Sequence, residues 1–231
     1  MNKFIIFLLL FFPVCLSAQK REIVEAASGE DLSQKVSTQL QYLFPEFTNG
    51  AVYYLGAQNG SGKLNYNMLL GEMQFLENNE VRALSNVKNV IVVSIDKRKF
   101  YPFNETEFVE ELLSTDRGQL LVRRKGNVAP HSKKGAYGSS SSTSSITSYS
   151  SISSDNRQYD LSVFEDVLIS VNYFYYIKGS NGKYILIRNQ KTFMKQFSGH
   201  NAQIEAFVKE HNIRFDKEDD LKALLEYCSK L

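Results

Sequence analysis

The residues best suited to acid–base, metal or nucleophilic chemistry are few. The chain has three histidines, His131, His200 and His211, and two cysteines, Cys15 and Cys228. None of the histidines stands in a His-Glu-x-x-His spacing, and no cysteine pair is available to complete a zinc site. Serine is abundant, yet it never occurs in the Gly-x-Ser-x-Gly turn that presents a nucleophile above a sheet. Cys228 continues the apolar stripe Leu221, Leu224 and Leu225, so an inert core thiol is expected there. His211 likewise extends the stripe of Ile204, Phe207 and Val208, which points to packing at a helix edge.

Three further constellations invite a test. Gly60-Ser61-Gly62-Lys63 has the flavour of a phosphate loop, but Ala57 stands where its first glycine belongs and Leu64 follows the lysine. Leu64, Tyr66 and Met68 then alternate like a strand, so a hairpin turn over Gln58–Gly62 is expected instead. Asp216, Glu218 and Asp220 resemble the start of a calcium loop, but Leu221 and Tyr227 occupy the positions that need Gly and Glu. Negative charge at a helix N-terminus explains the cluster. Glu110-Glu111 could serve acid–base work only if the fold brings another carboxylate near.

The chain opens with Met1-Asn2-Lys3 and an apolar run from Phe4 to Leu16, thirteen residues long. That is within the roughly 7–15 residues of a signal core and short of the ~20 that a spanning helix needs. Ser17-Ala18-Gln19 offers a cleavage site after Ala18, so residues 1–18 are read as a signal peptide. Export to the periplasm, the cell surface or the medium follows. No later stretch is long and apolar enough to span a bilayer as a helix, so a soluble mature chain is expected. After cleavage Cys228 is the only cysteine, which leaves the fold to rest on its core. A formal charge of +2 names no partner.

Residues 19–41 read as a polar lead-in with a short helix, since Leu32, Val36 and Leu40 are spaced four apart. From residue 42 to 126 the period is two. Ala51–Leu55 and Lys63–Leu70 pair around a turn, and Glu72–Leu76 pairs with Val81–Leu84 around Glu77-Asn78-Asn79. Val90–Ile95 is the most apolar strand and is expected to be central. Phe100–Phe103 continues the meander, Thr106–Leu113 fits a helix through Phe108, Val109 and Leu112, and Gln119–Arg124 is a strand. Residues 127–156 are read as a mobile linker: of the sixteen residues from Ser139 to Ser154, eleven are Ser and two Thr, too little apolar surface to offset ordering entropy. Residues 157–231 resume with strands over Tyr159–Phe164, Val167–Lys178 and Lys183–Arg188, then two C-terminal helices. The fold class is therefore α+β: a mainly antiparallel β-sheet of hairpins and meander with C-terminal helices packed on it and a long Ser-rich disordered loop. Residues 42–126 and 157–231 are expected to share one fold.

Two surfaces remain as candidates for binding. Val171, Tyr173, Tyr175 and Ile177 alternate with Asn172, Phe174, Tyr176 and Lys178, so one face is core and the other is either sheet packing or a stacking platform for ring-shaped ligands. From Arg117 to Ser154 there are six Lys or Arg residues and no acid. A flexible positive segment containing Arg123, Arg124, Lys125, Lys133 and Lys134 would favour anionic partners.

Leu64-Asn65-Tyr66-Asn67-Met68-Leu69-Leu70-Gly71-Glu72-Met73-Gln74-Phe75 resembles a recurrent motif of an uncharacterised family of small secreted proteins of Gram-negative bacteria. The ending, from Ile204 through Ile213 and Asp219 to Tyr227-Cys228, resembles the helical tail of the same group. The resemblance implies export and carries over no catalytic residue. The function expected is that of an exported, non-catalytic cell-envelope protein, a binding or accessory module whose partner is an anionic envelope component or another protein. The alternative is an envelope hydrolase whose carboxylates meet only in the fold. No catalytic, cofactor-binding or metal-ligating residue is assigned, and neither a cofactor nor nucleic acid is expected.

Overall fold

A computed structural model of the chain describes residues 20–26, 32, 35–56, 59–130, 165–179, 182–197 and 199–231. The expected signal peptide, the serine-rich tract, His131, Lys133, Lys134 and the strand expected at Tyr159–Phe164 lie outside the described residues.

Alternation of apolar and polar residues builds a series of hairpins. β1 (Arg21–Ala26) precedes a single helical turn, α1 (Thr38–Gln41). Leu40 of α1 and Val36 just before it are buried, while Ser37 caps the turn through its hydroxyl. β2 (Thr48–Tyr54) pairs with β3 (Gly60–Asn67), so Gly60-Ser61-Gly62-Lys63 is the start of a strand, with Gly62 opposite Gly50, rather than wholly a turn. β4 (Glu72–Glu77) and β5 (Glu80–Ala83) close around Asn78 and Asn79, both with positive φ, as a tight hairpin turn requires. β6 (Val90–Ile95) turns at Asp96 into β7 (Arg98–Pro102).

Residues Phe108–Thr115 form a strand, β8, and not the helix that the spacing of Phe108, Val109 and Leu112 predicts. The reason is burial on both faces. Phe108 packs inwards, Val109 packs on the opposite face, and Glu110 is buried too, so the period-two signal of a half-exposed strand is missing. An irregularity between Glu111 and Leu113 further blurs the pattern. β9 (Gly118–Pro130) runs beyond the expected strand end, taking Asn127 to Pro130 into the sheet rather than the linker. From Gln119 to Pro130 it pairs with β10 (Glu165–Lys178). β11 (Tyr184–Leu186) adds to β10, and α2 (Gln190–Met194), α3 (Asn201–Glu210) and α4 (Glu218–Cys228) complete the chain.

All pairings are antiparallel, and the described strands form one sheet in the order β1-β10-β9-β8-β7-β6-β2-β3-β4-β5, with β11 beside β10. The chain is thus mainly antiparallel sheet with C-terminal helices packed on it, and β6 is interior to the sheet as its composition suggests. The sheet bends on itself. Val24 of β1 and Ile169 and Val171 of β10 share one core with Val52 of β2, Tyr66 of β3 and Val93 of β6. Two hydrogen bonds tie the fold-back: Phe108 N–H donates to Gly71 C=O and Gly126 N–H to Leu69 C=O, both at 2.8 Å. Gly50 is required where β2 passes β6, since a Cβ there would lie 2.7 Å from the Ser94 carbonyl oxygen.

A second core lies towards the other end of the long strands. Leu120 and Val122 of β9 and Tyr175 and Ile177 of β10 pack against Phe193, Ile204, Leu221, Leu224 and Leu225. Here the α4 stripe Leu221, Leu224, Leu225 and Cys228 is buried, as is Ile204 of α3, with Phe207 and Val208 half-buried beside it, as amphipathic spacing dictates.

Candidate functional site

Between the two cores the inner face of the sheet carries a charged layer. Glu110 of β8 and Arg124 of β9 form an ion pair with both side chains about 5 % exposed or less. Arg98 reaches the other Glu110 oxygen at 3.1 Å from the surface side. The Arg124 guanidinium also lies 5.6 Å from the Tyr173 ring and 6.0 Å from that of Tyr66. Burial opposes its charge, but the fields of Glu110 and Tyr66 hold its pKa above the ordinary arginine value. Tyr66 is fully buried, its phenol pushed up to about 12 chiefly by desolvation, and its hydroxyl donates to the Phe108 carbonyl at 3.1 Å. Such a phenol is a hydrogen-bond donor and not a base.

On the outer face Glu107 accepts from Asn104 at 2.9 Å and pairs with Arg123 and Lys125. Burial alone would raise its pKa; the contacts with Arg123 and Lys125 outweigh that and leave it below the ordinary carboxylate value. Glu111 accepts from Gln119 at 2.7 Å and from the Tyr101 hydroxyl at 3.2 Å. Arg123 stands 4.9 Å from the Phe103 ring, and Lys178 stands 5.3 Å from that of Tyr184. Val109, Leu121 and Tyr176 pack there with Phe103, Phe174 and Tyr184. The outer face of the aromatic strand is therefore a small packed cluster rather than an open stacking platform.

These contacts correct the reading of the basic segment. Arg123, Arg124 and Lys125 lie within β9 and answer Glu107 and Glu110 across the sheet. Cross-strand partners are invisible to a count of charges along the chain. Glu110 and Glu111 alternate to opposite faces, as successive strand residues must, so the adjacent pair does not converge on one point.

An open groove lies along one edge of β10. Its volume is about 480 Å³, and its lining includes Tyr173, Tyr175, Ile187, Arg188, Phe215 and Asp216. β1 pairs with β10 only as far as Ser170, extended by a contact between Val171 N–H and Lys20 C=O. β11 covers Tyr176 to Lys178, extended by Ile187 N–H donating to Tyr175 C=O. Among the described residues the two strands thus run in line along one edge of β10, and neither is paired with Tyr173. The Tyr175 phenol is pushed up to about 12, mainly by burial and then by the negative charge of Glu218. The groove therefore offers aromatic surface, neutral hydroxyls, one cation and one carboxylate.

The remaining residues singled out from the sequence have structural roles. Cys228 is buried in the helical core, and desolvation pushes its thiol up to about 11. Cys228→Ala is expected to cost about 1–2 kcal/mol through the small cavity it leaves, measured by urea unfolding, and to leave every binding property intact. His211 is not packed on the stripe but exposed after α3, where its ring stacks on Phe207 at 4.1 Å. His200 is the N-cap residue of the same helix. Asp220 accepts from Arg214 through both the backbone N–H and Nε at 2.9 Å, and Glu218 pairs with Lys222. Among the described residues no group of three or more His, Cys, Asp or Glu side chains is placed to hold a metal ion, and no helix is long and apolar enough to cross a membrane.

Sequence reasoning missed the groove altogether, because its lining comes from segments that only the strand registers and helix packing bring together. Tyr173 and Tyr175 were legible as one face of a strand; Arg188 carried no signal of its own, and Asp216 was read only as charge at a helix N-terminus. Fold and site define an antiparallel α+β protein with one buried charge layer and an edge groove. No protein-family model, curated protein or solved structure matches the chain.

Proposed function

We propose that this chain is an exported, non-catalytic cell-envelope protein that acts as a binding or accessory module. The observation that carries the reading is the chemical state of its side chains. The sheet carboxylates that could serve as acid and base, Glu107, Glu110 and Glu111, are committed to Arg, Lys, Tyr and Gln partners. The thiol and the groove phenol of Tyr175 hold their protons far above neutral pH. A groove with aromatic walls and few polar groups suits recognition. Export rests on the apolar run and the small residues before Gln19.

The test is fractionation of producing cells followed by mass spectrometry of the protein's N-terminus. The expected result is a chain beginning at or within a residue or two of Gln19 in the envelope or the medium. An intact Met1 on the functional protein would overturn the reading. The anionic partner has to be sought with Lys133 and Lys134 rather than Arg123, Arg124 and Lys125, whose neutralisation would strip Glu107 and Glu110 of their counter-charges and disturb the fold.

A further inference from the structure

We propose that two copies of this chain dimerise through β5, paired antiparallel with itself about a two-fold axis at Val81. The dimer goes beyond the binding-module reading and does not depend on it. β5 ends the sheet, and among the described residues only β4 pairs with it. Leu84 N–H donates to Met73 C=O at 2.8 Å, one step beyond the Gln74–Ala83 pair. Backbone polarity in an antiparallel strand repeats every two residues, so Arg82 and Glu80 bond to β4 as well. The N–H and C=O groups of Val81 and Ala83 therefore point away from the sheet, and among the described residues nothing answers them. Such an edge is a template for another strand. All four β5 residues are exposed, Val81 at 48 % and its cross-strand neighbour Leu76 at 36 %. β1, at the other end of the sheet, is dressed instead: Lys35 Nζ donates to Glu25 C=O and Ser37 N–H to the Glu22 carboxylate.

The charges of the strand select both the occupant and the register. Within one chain Arg82 meets Glu80 at 2.9 Å and Glu77 at 3.1 Å, and all three side chains are half or more exposed. Ion pairs of that kind contribute little to the monomer, so these groups are available to a neighbouring strand. Only Val81 and Ala83 can enter hydrogen-bonded pairs across the new edge, which leaves three two-fold registers. An axis at Val81 joins Val81 to Val81 of the second copy by two hydrogen bonds and sets each Glu80 opposite the other copy's Arg82. An axis at Arg82 would put the two guanidinium groups face to face, and like charges directly opposite are destabilising. An axis at Ala83 would set Arg82 against Leu84 and answer no charge. A strand with an acid and a base two residues apart is its own complement, whereas like charges at both places would repel a copy. On the other face Leu76 and Val81 of both copies line up as one apolar row.

The experiment is sedimentation velocity on the protein purified from its producing cells. A range of roughly 5 to 500 μM covers the transient complexes that interfaces below ~1,200 Å² form. A reversible monomer–dimer equilibrium is expected. Arg82→Glu and Glu80→Arg should each weaken it at least about tenfold, since like charges then face one another twice, while the thermal unfolding temperature stays unchanged. Mixing the two variants should restore association as a heterodimer, which damage to the fold could not do. With oxidised glutathione, Val81→Cys should give a disulfide-linked dimer, because its Cα atoms would lie about 5.5 Å apart. Arg82→Cys should not, because such diagonal neighbours lie ~7–8 Å apart, beyond the reach of a bridge. A monomer over the whole range would overturn the proposal. Faster cross-linking through Arg82→Cys than through Val81→Cys would do the same, as would charge variants that associate like the parent. Species growing past the dimer would show β5 joining β1 of the next copy, a head-to-tail contact that excludes the two-fold. The groove takes no part in any of these outcomes, so the dimer and the binding-module reading fail separately.

Discussion

Replacing Glu110 with alanine is expected to cost about 3–5 kcal/mol of unfolding free energy, the loss typical of a buried charge stripped of its partner. Arg124 would be left with its guanidinium under the sheet, and its Nε already lacks a hydrogen-bond acceptor among the described residues. The rings of Tyr66 and Tyr173 would remain its nearest support, and cation–π contact supplies only about 2 kcal/mol when desolvated. The double variant Glu110→Leu with Arg124→Met should recover most of the loss, since a well-packed apolar pair avoids both desolvation costs. Urea unfolding monitored by tyrosine fluorescence gives both numbers. A single variant that loses less than about 1 kcal/mol would place the pair in the surface class, where exposed ion pairs are worth that little.

The second large effect is expected at Asn67, in the turn that joins β3 to β4. Its Oδ1 accepts the N–H groups of Leu69 and Leu70 at 3.0 and 3.1 Å, and its side chain is fully buried. Asn67→Ala leaves two buried donors without an acceptor, at about 1–3 kcal/mol each. The same turn presents Leu69 and Gly71 carbonyls to Gly126 and Phe108, so loosening it also loosens the fold-back of the sheet. Asn67→Asp keeps the acceptor and loses the contact with Gln74 at 3.4 Å; measured below the pH at which its buried carboxyl ionises, its loss should be clearly smaller than that of alanine. Equal unfolding midpoints for the two variants would show that the Oδ1 contacts carry no stability.

The stretch from Leu64 to Phe75, singled out by its resemblance to secreted proteins, takes on physical content here. Leu64, Tyr66 and Met73 point into the first core. Asn65 accepts Phe44 N–H and donates to Phe44 C=O, so it holds the segment that runs beside β3. Gly71 sits at φ +75 with the Arg124 carbonyl oxygen 3.2 Å from where a Cβ would stand, a place where any larger residue is strained. Every one of these contacts holds the fold together.

What the sequence determined by itself is local. Period-two alternation was enough to place the β4–β5 and β6–β7 hairpins, because their turns carry Asn78, Asn79 and Asp96, which tolerate positive φ. The i, i+3, i+4 stripes of α3 and α4 were equally direct, since one face of each meets the core and the other meets water. Tertiary structure decided whatever depends on two distant segments meeting. β8 looked helical because neighbours cover both of its faces. The basic residues of β9 looked free because Glu107 and Glu110 answer them from another strand. The groove brings Tyr173 and Tyr175 of β10 together with Arg188 and Asp216, residues far apart in the chain that meet only through the packing of β11 and the C-terminal segment on β10. Periodicity records which side of a strand faces the core, but strand registers arise from contacts between segments, and no single segment carries them.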